Sequence, residues 1–150
     1  MRILIDADGC PVVDLAVAIA REEQVECLIL CDTSHVFQKP GADTLTFSKG
    51  ADSVDFALVN LLQMGDLVVT QDYGLAAMCL ARNAKVLHQD GMRYTSGNID
   101  GLLLSRHTAK KIRNAGGRLK GPHKRTRSQD DAFKQALRSL VQEGKAGRGN

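Results

Sequence analysis

Strand-like runs alternate with segments of helical period along this chain, and that alternation constrains the fold more than any other feature. The predicted strands, of which the third is the weakest, are 2–5, 25–31, 44–47, 67–70 and 85–88. The predicted helices between and after them are 11–21, 51–63, 75–82 and 99–113. Strands that alternate with helices run parallel and are joined by right-handed crossovers. We therefore expect an α/β fold, a three-layer sandwich around a mostly parallel sheet of four or five strands.

The length suits one domain. The chain has 150 residues, of which 43% are hydrophobic, so it can close a single core. A basic, irregular segment follows Gly117, and Ser128 to Asp131 predict a capping box that opens a last helix. One face of that helix is apolar and should dock on the domain, through Phe133, Leu137, Leu140 and Val141. We expect one domain over residues 1–143 and a disordered tail over residues 144–150.

Several protein classes are excluded by what the sequence lacks. No apolar run approaches the ~20 residues that cross a bilayer, and Asp6 interrupts the N-terminal apolar run where a signal peptide would continue, so we expect a cytoplasmic protein. The four cysteines form no Cys-x-x-Cys pair, which argues against a disulfide framework. Cys27 and Cys31, with His35, are metal-ligating residue types, but both cysteines fall on one face of a buried strand. Cys10 has no evident partner base, so core packing is the simpler interpretation of all four.

Charge is distributed unevenly along the chain. Residues 1–100 hold 7 basic and 14 acidic residues, whereas residues 101–150 hold 13 basic and 3 acidic ones. Between residues 106 and 127 there is no acid and there are nine cations, Arg106, Lys110, Lys111, Arg113, Arg118, Lys120, Lys124, Arg125 and Arg127. Such a run predicts binding to nucleic acid, mainly through phosphates because Tyr94 is the only aromatic residue nearby. The alternative is a solvated basic face.

Acidic residues follow the ends of two predicted strands. Asp6 and Asp8 come after the first strand and Asp72 after the fourth, so parallel strands would bring them to one edge of the sheet. Asp52 and Asp55 lie three residues apart on a predicted helix and share a face, and Asp55 also aligns with the apolar stripe. These carboxylates predict a crevice lined by acids.

Grouped carboxylates repel one another, and a divalent cation relieves that repulsion. Oxygen ligands without histidine or cysteine favour Mg²⁺ or Mn²⁺ over Zn²⁺. Such an ion activates water and stabilises a leaving oxygen, which is the chemistry of a nuclease. Taken singly, each acid has a simpler explanation, since Asp6, Asp8, Asp52 and Asp72 are all placed to cap or stabilise the start of a helix.

Several motifs stand out along the chain, namely Asp6-Ala-Asp-Gly-Cys-Pro11, Lys49 to Asn60, Val69 to Ala76, Tyr94-Thr95, Asn98-Ile-Asp100 and Gly121-Pro122. Together they resemble the YaiI/YqxD family of bacterial proteins. That family is similar in turn to PIN-like nucleases, whose pattern is an Asp ending the first strand, an acid on a central helix, and Thr-x-Asp after a later strand. Asp6, Asp55 or Asp52, and Thr70-x-Asp72 match this pattern. A further PIN acid two residues after Thr-x-Asp is replaced here by Gly74.

The resemblance implies metal-dependent hydrolysis of phosphodiester bonds in RNA. Asp6, Asp55 and Asp72 would hold the cation, with Asp8 and Asp52 assisting and Thr70 orienting Asp72. The missing acid favours an alternative, a nucleic-acid-binding module that has kept the PIN-like fold without turnover.

A second alternative is a phosphatase similar to the haloacid dehalogenase superfamily, which also begins with a strand and Asp-x-Asp. Asp66 and Asp72 could stand for its later acids. However, Cys10-Pro11 departs from that pattern, and a basic segment has no evident use on a small phosphorylated metabolite.

Overall fold

The described part of the chain forms six strands and five helices in a computed structural model that describes residues 1–32, 38–48, 53–116 and 124–148. The strands are β1 (Arg2–Asp6), β2 (Glu26–Asp32), β3 (Asp43–Phe47), β4 (Leu67–Val69), β5 (Lys85–Leu87) and β6 (Arg93–Tyr94). The helices are α1 (Val13–Glu22), α2 (Ser53–Leu61), α3 (Tyr73–Ala81), α4 (Ile99–Asn114) and α5 (Arg127–Arg148). Within the described ranges, no helix is both long and apolar enough to cross a bilayer.

The strands form one sheet in the order β3-β2-β1-β4-β5-β6. The first five strands in chain order are parallel and correspond to the five predicted strands, which confirms the predicted α/β class. The sixth strand, β6, is antiparallel to β5 and pairs Tyr94 with Val86. It was not predicted because two residues are too short to show a strand period.

Helices cover both faces of the sheet, which gives the expected three layers. Ile3 and Ile5 of β1 pack in one apolar cluster with residues of α1 and α5, whereas Leu4 between them packs in a second cluster with residues of α2 and α3. Alternation of this kind is the period of a strand whose two faces are both buried. The N-terminus of α4 also belongs to the second cluster, through Ile99.

The last helix docks on the domain as predicted. Its buried side chains are those expected from the sequence, Phe133, Leu137, Leu140 and Val141. The capping box, however, begins two residues before Ser128. The Thr126 N–H donates to Gln129 Oε1 at 2.7 Å, and the Gln129 N–H donates to Thr126 Oγ1 at 3.4 Å. This reciprocal pair satisfies backbone donors at the start of α5.

The predicted disordered tail over residues 144–150 is helical as far as Arg148, and residues 149–150 lie outside the described part. Lys145 Nζ donates to the Glu23 carbonyl at 2.6 Å and to Glu23 Oε2 at 2.9 Å. Gly144 lies against Met1, so closely that an added Cβ would collide with the Met1 side chain. These contacts, which join residues distant in sequence, hold the end of the helix on the domain.

Arg125 fastens the turn between β5 and β6 to α5. Its guanidinium donates to Asp90 Oδ1 at 2.6 Å, to Asp130 Oδ1 at 2.6 Å and to the Gln89 carbonyl at 2.7 Å. The turn approaches α5 so closely that a Cβ on Gly91, whose φ is +93°, would lie 2.8 Å from the Ala132 backbone. A glycine is therefore required there both by its backbone angle and by the available space.

Candidate functional site

The order of the sheet reverses at β1. The chain first builds β1, β2 and β3 outwards in one direction, and then places β4 and β5 on the other side of β1. In open parallel sheets a crevice forms beyond the carboxyl ends of the two strands that flank such a reversal, and ligands bind there. Asp6 is the last residue of β1 and Thr70 directly follows β4, so both lie at this crevice.

Thr70 links the acids that follow the two strands. Its hydroxyl donates to Asp6 Oδ2 at 2.8 Å and accepts from the Asp72 backbone N–H at 3.0 Å. The Thr70 side chain is buried, and its carbonyl accepts from the Tyr94 hydroxyl at 3.1 Å. The sequence predicted a contact with Asp72 only; the hydrogen bond to Asp6 is an additional one that joins β1 to β4.

Asp72 is the N-cap of α3. Its Oδ1 accepts from the Gly74 N–H at 2.8 Å and from the Leu75 N–H at 3.1 Å, which is the simpler role considered from the sequence. The same oxygen lies 3.4 Å from Nη1 of Arg106, which belongs to α4. Capping therefore fixes Asp72 at the crevice with a cation beside it.

Carboxylates surround Asp6 closely enough to change its acidity. The pKa of Asp6 is raised to about 6, first because burial penalises the charged form. The hydrogen bond from Thr70 opposes this, but the negative charges of Asp55, Asp72 and Asp8 raise the pKa further. The structure thus brings four of the five predicted acids into one electrostatic neighbourhood, and the fifth, Asp52, lies outside the described residues.

Asp8 has a structural contact at the same edge. Its Oδ2 accepts from the Asp32 backbone N–H at 3.0 Å, which joins the end of β2 to the residues after β1. Cys10, two residues later, is half-buried, and burial raises the pKa of its thiol. A raised pKa is the opposite of what an activated cysteine requires, so Cys10 fits a packing role.

The donor set fits a hard cation in chemistry and charge, since it consists of carboxylate oxygens that repel one another. In the described ranges, however, no three Asp, Glu, His or Cys side chains are close enough together to hold a metal ion. A metal ion bound between Asp6, Asp55 and Asp72 would therefore require these side chains to move closer together. Asp72 also uses one carboxylate oxygen to cap α3.

A cleft on the α2, α3 and α4 side opens beside these acids. It has a volume of about 370 Å³, and Asp55, Asp72 and Arg106 provide its charged groups. The remaining lining residues include two apolar side chains that the sequence analysis did not single out, Phe56 and Met78, which are 60% and 37% exposed. The sequence does indicate that Phe56 is exposed. Phe56 lies two residues from both Val54 and Leu58, so on a helix it points away from the face on which those two side chains are buried.

Basic residues of α4 continue along the helix from Arg106, which lines this cleft. Arg106, Lys110 and Arg113 are spaced i, i+4 and i+7 and therefore lie along one face, and Lys111 is adjacent. All four are exposed. In the part of the chain that the structure describes, Lys110, Lys111 and Arg113 form no ion pair. These four residues are called the α4 cations below.

Of the other five predicted cations, the structure describes three. Arg125 is directed into the contacts with Asp90 and Asp130, so its guanidinium is committed to the fold. Lys124 and Arg127 are exposed on either side of it. Arg118 and Lys120 lie outside the described residues.

Two alternative sites lose support from their positions. Asp66 directly precedes β4 at the amino edge of the sheet, where its Oδ2 pairs with Arg2 Nη2 at 2.7 Å, so it cannot join Asp72 as a phosphatase acid. Cys27 and Cys31 are buried within β2, and burial raises the pKa of Cys27 to about 12. His35 lies outside the described part of the chain.

Comparison with known proteins identifies the family. A family model described as "Uncharacterized BCR, YaiI/YqxD family" matches residues 4–143. A UPF0178 protein of Exiguobacterium sibiricum is 52% identical over 95% of this chain and 98% of its own. UPF0178 proteins of Clostridium acetobutylicum and Enterococcus faecalis are 47% and 43% identical, over 97% and 94% of this chain and 99% and 97% of their own. No solved structure matches. The chain therefore belongs to the YaiI/YqxD family, as its motifs had indicated.

Proposed function

We propose that this protein hydrolyses phosphodiester bonds in RNA with the help of Mg²⁺ or Mn²⁺. The observation that carries the proposal is the position of the acids. Asp6 lies at the point where strand order reverses, and its pKa is raised to about 6 partly by Asp55, Asp72 and Asp8. Two of these acids, Asp55 and Asp72, line a cleft together with Arg106. Such a perturbed, partly buried carboxylate in a crevice is typical of a functional site.

Three carboxylates would hold the cation, namely Asp6 at the end of β1, Asp55 on α2 and Asp72 before α3. Asp8 and Asp52 would assist by direct or water-mediated contact. When bound, the cation supplies a lowered pKa for the attacking water and charge neutralisation for the phosphate. Thr70 keeps Asp6 and the backbone of Asp72 in a fixed relation, since its hydroxyl contacts both.

Arg106 and the other α4 cations would bind the polynucleotide. The Arg106 side chain is 59% exposed, and its 3.4 Å contact with Asp72 is long enough to be exchanged for a phosphate oxygen. Lys110 and Arg113 continue along the same face of α4 and would contact neighbouring phosphates. In this proposal the acids form the reaction centre, and the α4 cations form the surface that binds the polynucleotide.

A binding module without turnover is the second candidate, and two observations favour it. Fewer than three metal-ligating side chains come together anywhere in the described ranges. Moreover, a Cβ at Gly74, where PIN-like nucleases carry a further acid, would lie 3.3 Å from Asp72 Oδ1 and 3.8 Å from Arg106 Nη1. Position 74 therefore supplies no fourth carboxylate, and the Arg106 guanidinium lies near it, which suits phosphate binding better than additional metal binding.

Cleavage of end-labelled single-stranded RNA with Mg²⁺ or Mn²⁺ tests the proposal. Asp72→Asn is the informative variant, because asparagine caps a helix as well as aspartate does and only the charge is lost. We expect cleavage to fall on the order of 100-fold, the usual effect of removing one group that stabilises transition-state charge. Asp131→Asn, an exposed acid on α5, is the matched control and should cleave normally.

The other outcomes separate the candidates. Cleavage that survives Asp72→Asn would place the reaction elsewhere. RNA binding that weakens with salt but never leads to cleavage would establish the binding module. Hydrolysis of para-nitrophenyl phosphate without RNA cleavage would instead establish a phosphatase.

A further inference from the structure

An aromatic ring stands exposed at the rim of the acidic cleft. Phe56 is 60% exposed on α2, directly after Asp55, and it lines the same 370 Å³ cleft as Asp72 and Arg106. Met78 on α3, 37% exposed, is the other partly exposed apolar side chain of the cleft. Leaving a phenylalanine in water forgoes the hydrophobic stabilisation that its burial would provide.

We propose that Phe56 is the residue that contacts a base of the polynucleotide, with an unpaired base stacked on its ring while Arg106 holds the adjoining phosphate. This inference rests on the nucleic-acid binding of the proposed function and adds a base contact to it. A stacking ring beside a cation is the usual arrangement for binding single strands, because every base has an aromatic face.

The charges at the cleft decide between a polynucleotide and a protein as the ligand of Phe56. Arg106 lies in the cleft with the ring, and Lys110 and Arg113 extend the positive surface from it along α4. A polyanion with flat apolar bases satisfies both the cations and the ring. A second copy of this chain has a net charge of +3, so it would not supply the dense negative charge that the α4 cations suit.

The position of the ring selects unpaired bases. In a duplex the bases stack on one another and show only their edges in the grooves. Phe56 lies next to Asp55, so a base stacked on it would place its own sugar and phosphate near the carboxylates. The ring therefore contributes to binding and also positions the strand for the acids.

The test measures binding in EDTA, so that it does not depend on hydrolysis. The probes are fluorescein-labelled oligouridine and an abasic oligonucleotide of equal length. We expect Phe56→Ala to weaken oligouridine binding about 5- to 100-fold, the range for loss of one stacked base, and to leave abasic binding unchanged. Phe56→Tyr keeps a ring and should restore binding. Met64→Ala, at a methionine that is 83% exposed before β4, is the control for loss of exposed apolar surface.

Each contrary outcome overturns a defined part of the proposal. Equal oligouridine binding by wild type and Phe56→Ala would remove the base contact and leave the proposed function intact. Absence of oligouridine binding by the wild type would overturn both. If sedimentation shows a wild-type dimer that Phe56→Ala dissociates, Phe56 belongs to an interface between two copies and the proposal is wrong.

Discussion

α4 and α5 are both rich in cations, but the two helices use them differently. On α5, Arg138 pairs with Glu22 at 3.1 Å and Lys145 with Glu23 at 2.9 Å, which joins the helix to the end of α1. On α4, Arg106 is the cation that contacts an acid, and Lys110 and Arg113 face solvent. Arg138 and Lys145 of α5 thus balance acids of the domain, whereas Lys110 and Arg113 of α4 form no ion pair with a described residue.

Packing shows the same difference. α5 buries a continuous apolar face that includes Phe133 and Leu137, whereas α4 is buried only at its first residue, Ile99, and Leu104 is already 64% exposed. Lys110, Lys111 and Arg113 have no ion-pair partner among the described residues, whereas Arg138 and Lys145 each join α5 to the end of α1. The basic C-terminal region of the sequence therefore contains two kinds of cation, those that pair with acids of the domain and those that face solvent.

The largest expected effect tests whether α5 is packed more firmly on the domain than α4. Phe133→Ala should lower the free energy of unfolding by about 3–5 kcal/mol, because it opens a cavity beneath α5. Leu104→Ala, on the exposed part of α4, should cost far less. Urea denaturation of both variants measures this difference, and equal losses would show that α4 is as firmly docked as α5.

The next effect concerns the charge of Asp6 at the crevice. Because the pKa of Asp6 rises from 3.8 to about 6 on folding, the folded state prefers protonated Asp6. Stability from this group is present below pH 3.8 and is lost as the pH rises through 6. Asp6→Asn should therefore stabilise the protein at pH 8 by up to about 3 kcal/mol and have little effect at pH 4.

Thermal unfolding between pH 4 and 8, without divalent ions, measures this dependence. Asp14→Asn, at an exposed acid of α1, provides the control. A pH-independent effect of Asp6→Asn would mean that folding does not raise the pKa of Asp6. Addition of Mg²⁺ at pH 8 should raise the Tm of the wild type more than that of Asp6→Asn, if Asp6 holds the cation.

Arg125 tests whether one cation of the basic segment belongs to the fold. Arg125→Ala removes hydrogen bonds to Asp90 and Asp130 and should cost about 2 kcal/mol, within the range for bonds to charged groups. Arg127→Ala, two residues later and exposed, should change stability by less than about 0.5 kcal/mol. Chemical denaturation distinguishes them, and equal effects would mean that the guanidinium contacts of Arg125 add nothing.

The smallest effect on stability is expected from the cations of α4. Alanine at Lys110, Lys111 and Arg113 together should leave unfolding almost unchanged but weaken RNA binding. The slope of log affinity against log salt should fall by up to about 2, at roughly 0.7 for each lost phosphate contact. Lys134→Ala with Arg138→Ala on α5 is the matched control, and an equal change in its slope would contradict the distinction between the helices.

Much of the fold was predictable because it depends on local pattern. The five parallel strands are buried on both faces and read as apolar runs, and Asp6, Thr70 and Asp72 follow the strands that the sheet brings together. β6 was not predictable from periodicity, since its stability comes from pairing with β5 rather than from its own two residues.

The site was less predictable than the fold because it depends on contacts distant in sequence. Nothing near Arg125 marks it as different from Arg127; the difference arises from Asp90, which lies 35 residues earlier. Tyr94 is the aromatic residue nearest to the basic segment in the sequence, but it is buried and its hydroxyl donates to the Thr70 carbonyl. The exposed ring at the cleft is Phe56, which is far from the basic segment in the sequence.

The docking of α5 also has a consequence for biosynthesis. One face of the sheet is covered by α2 and α3, which are translated soon after β1, whereas the other face needs α5 as well as α1. Ile3 and Ile5 therefore leave the ribosome long before Phe133, which packs in the same cluster. Until α5 is made, the nascent chain exposes part of that apolar face, which is the kind of surface that chaperones bind. The first strand to be synthesised is completed only by the last helix.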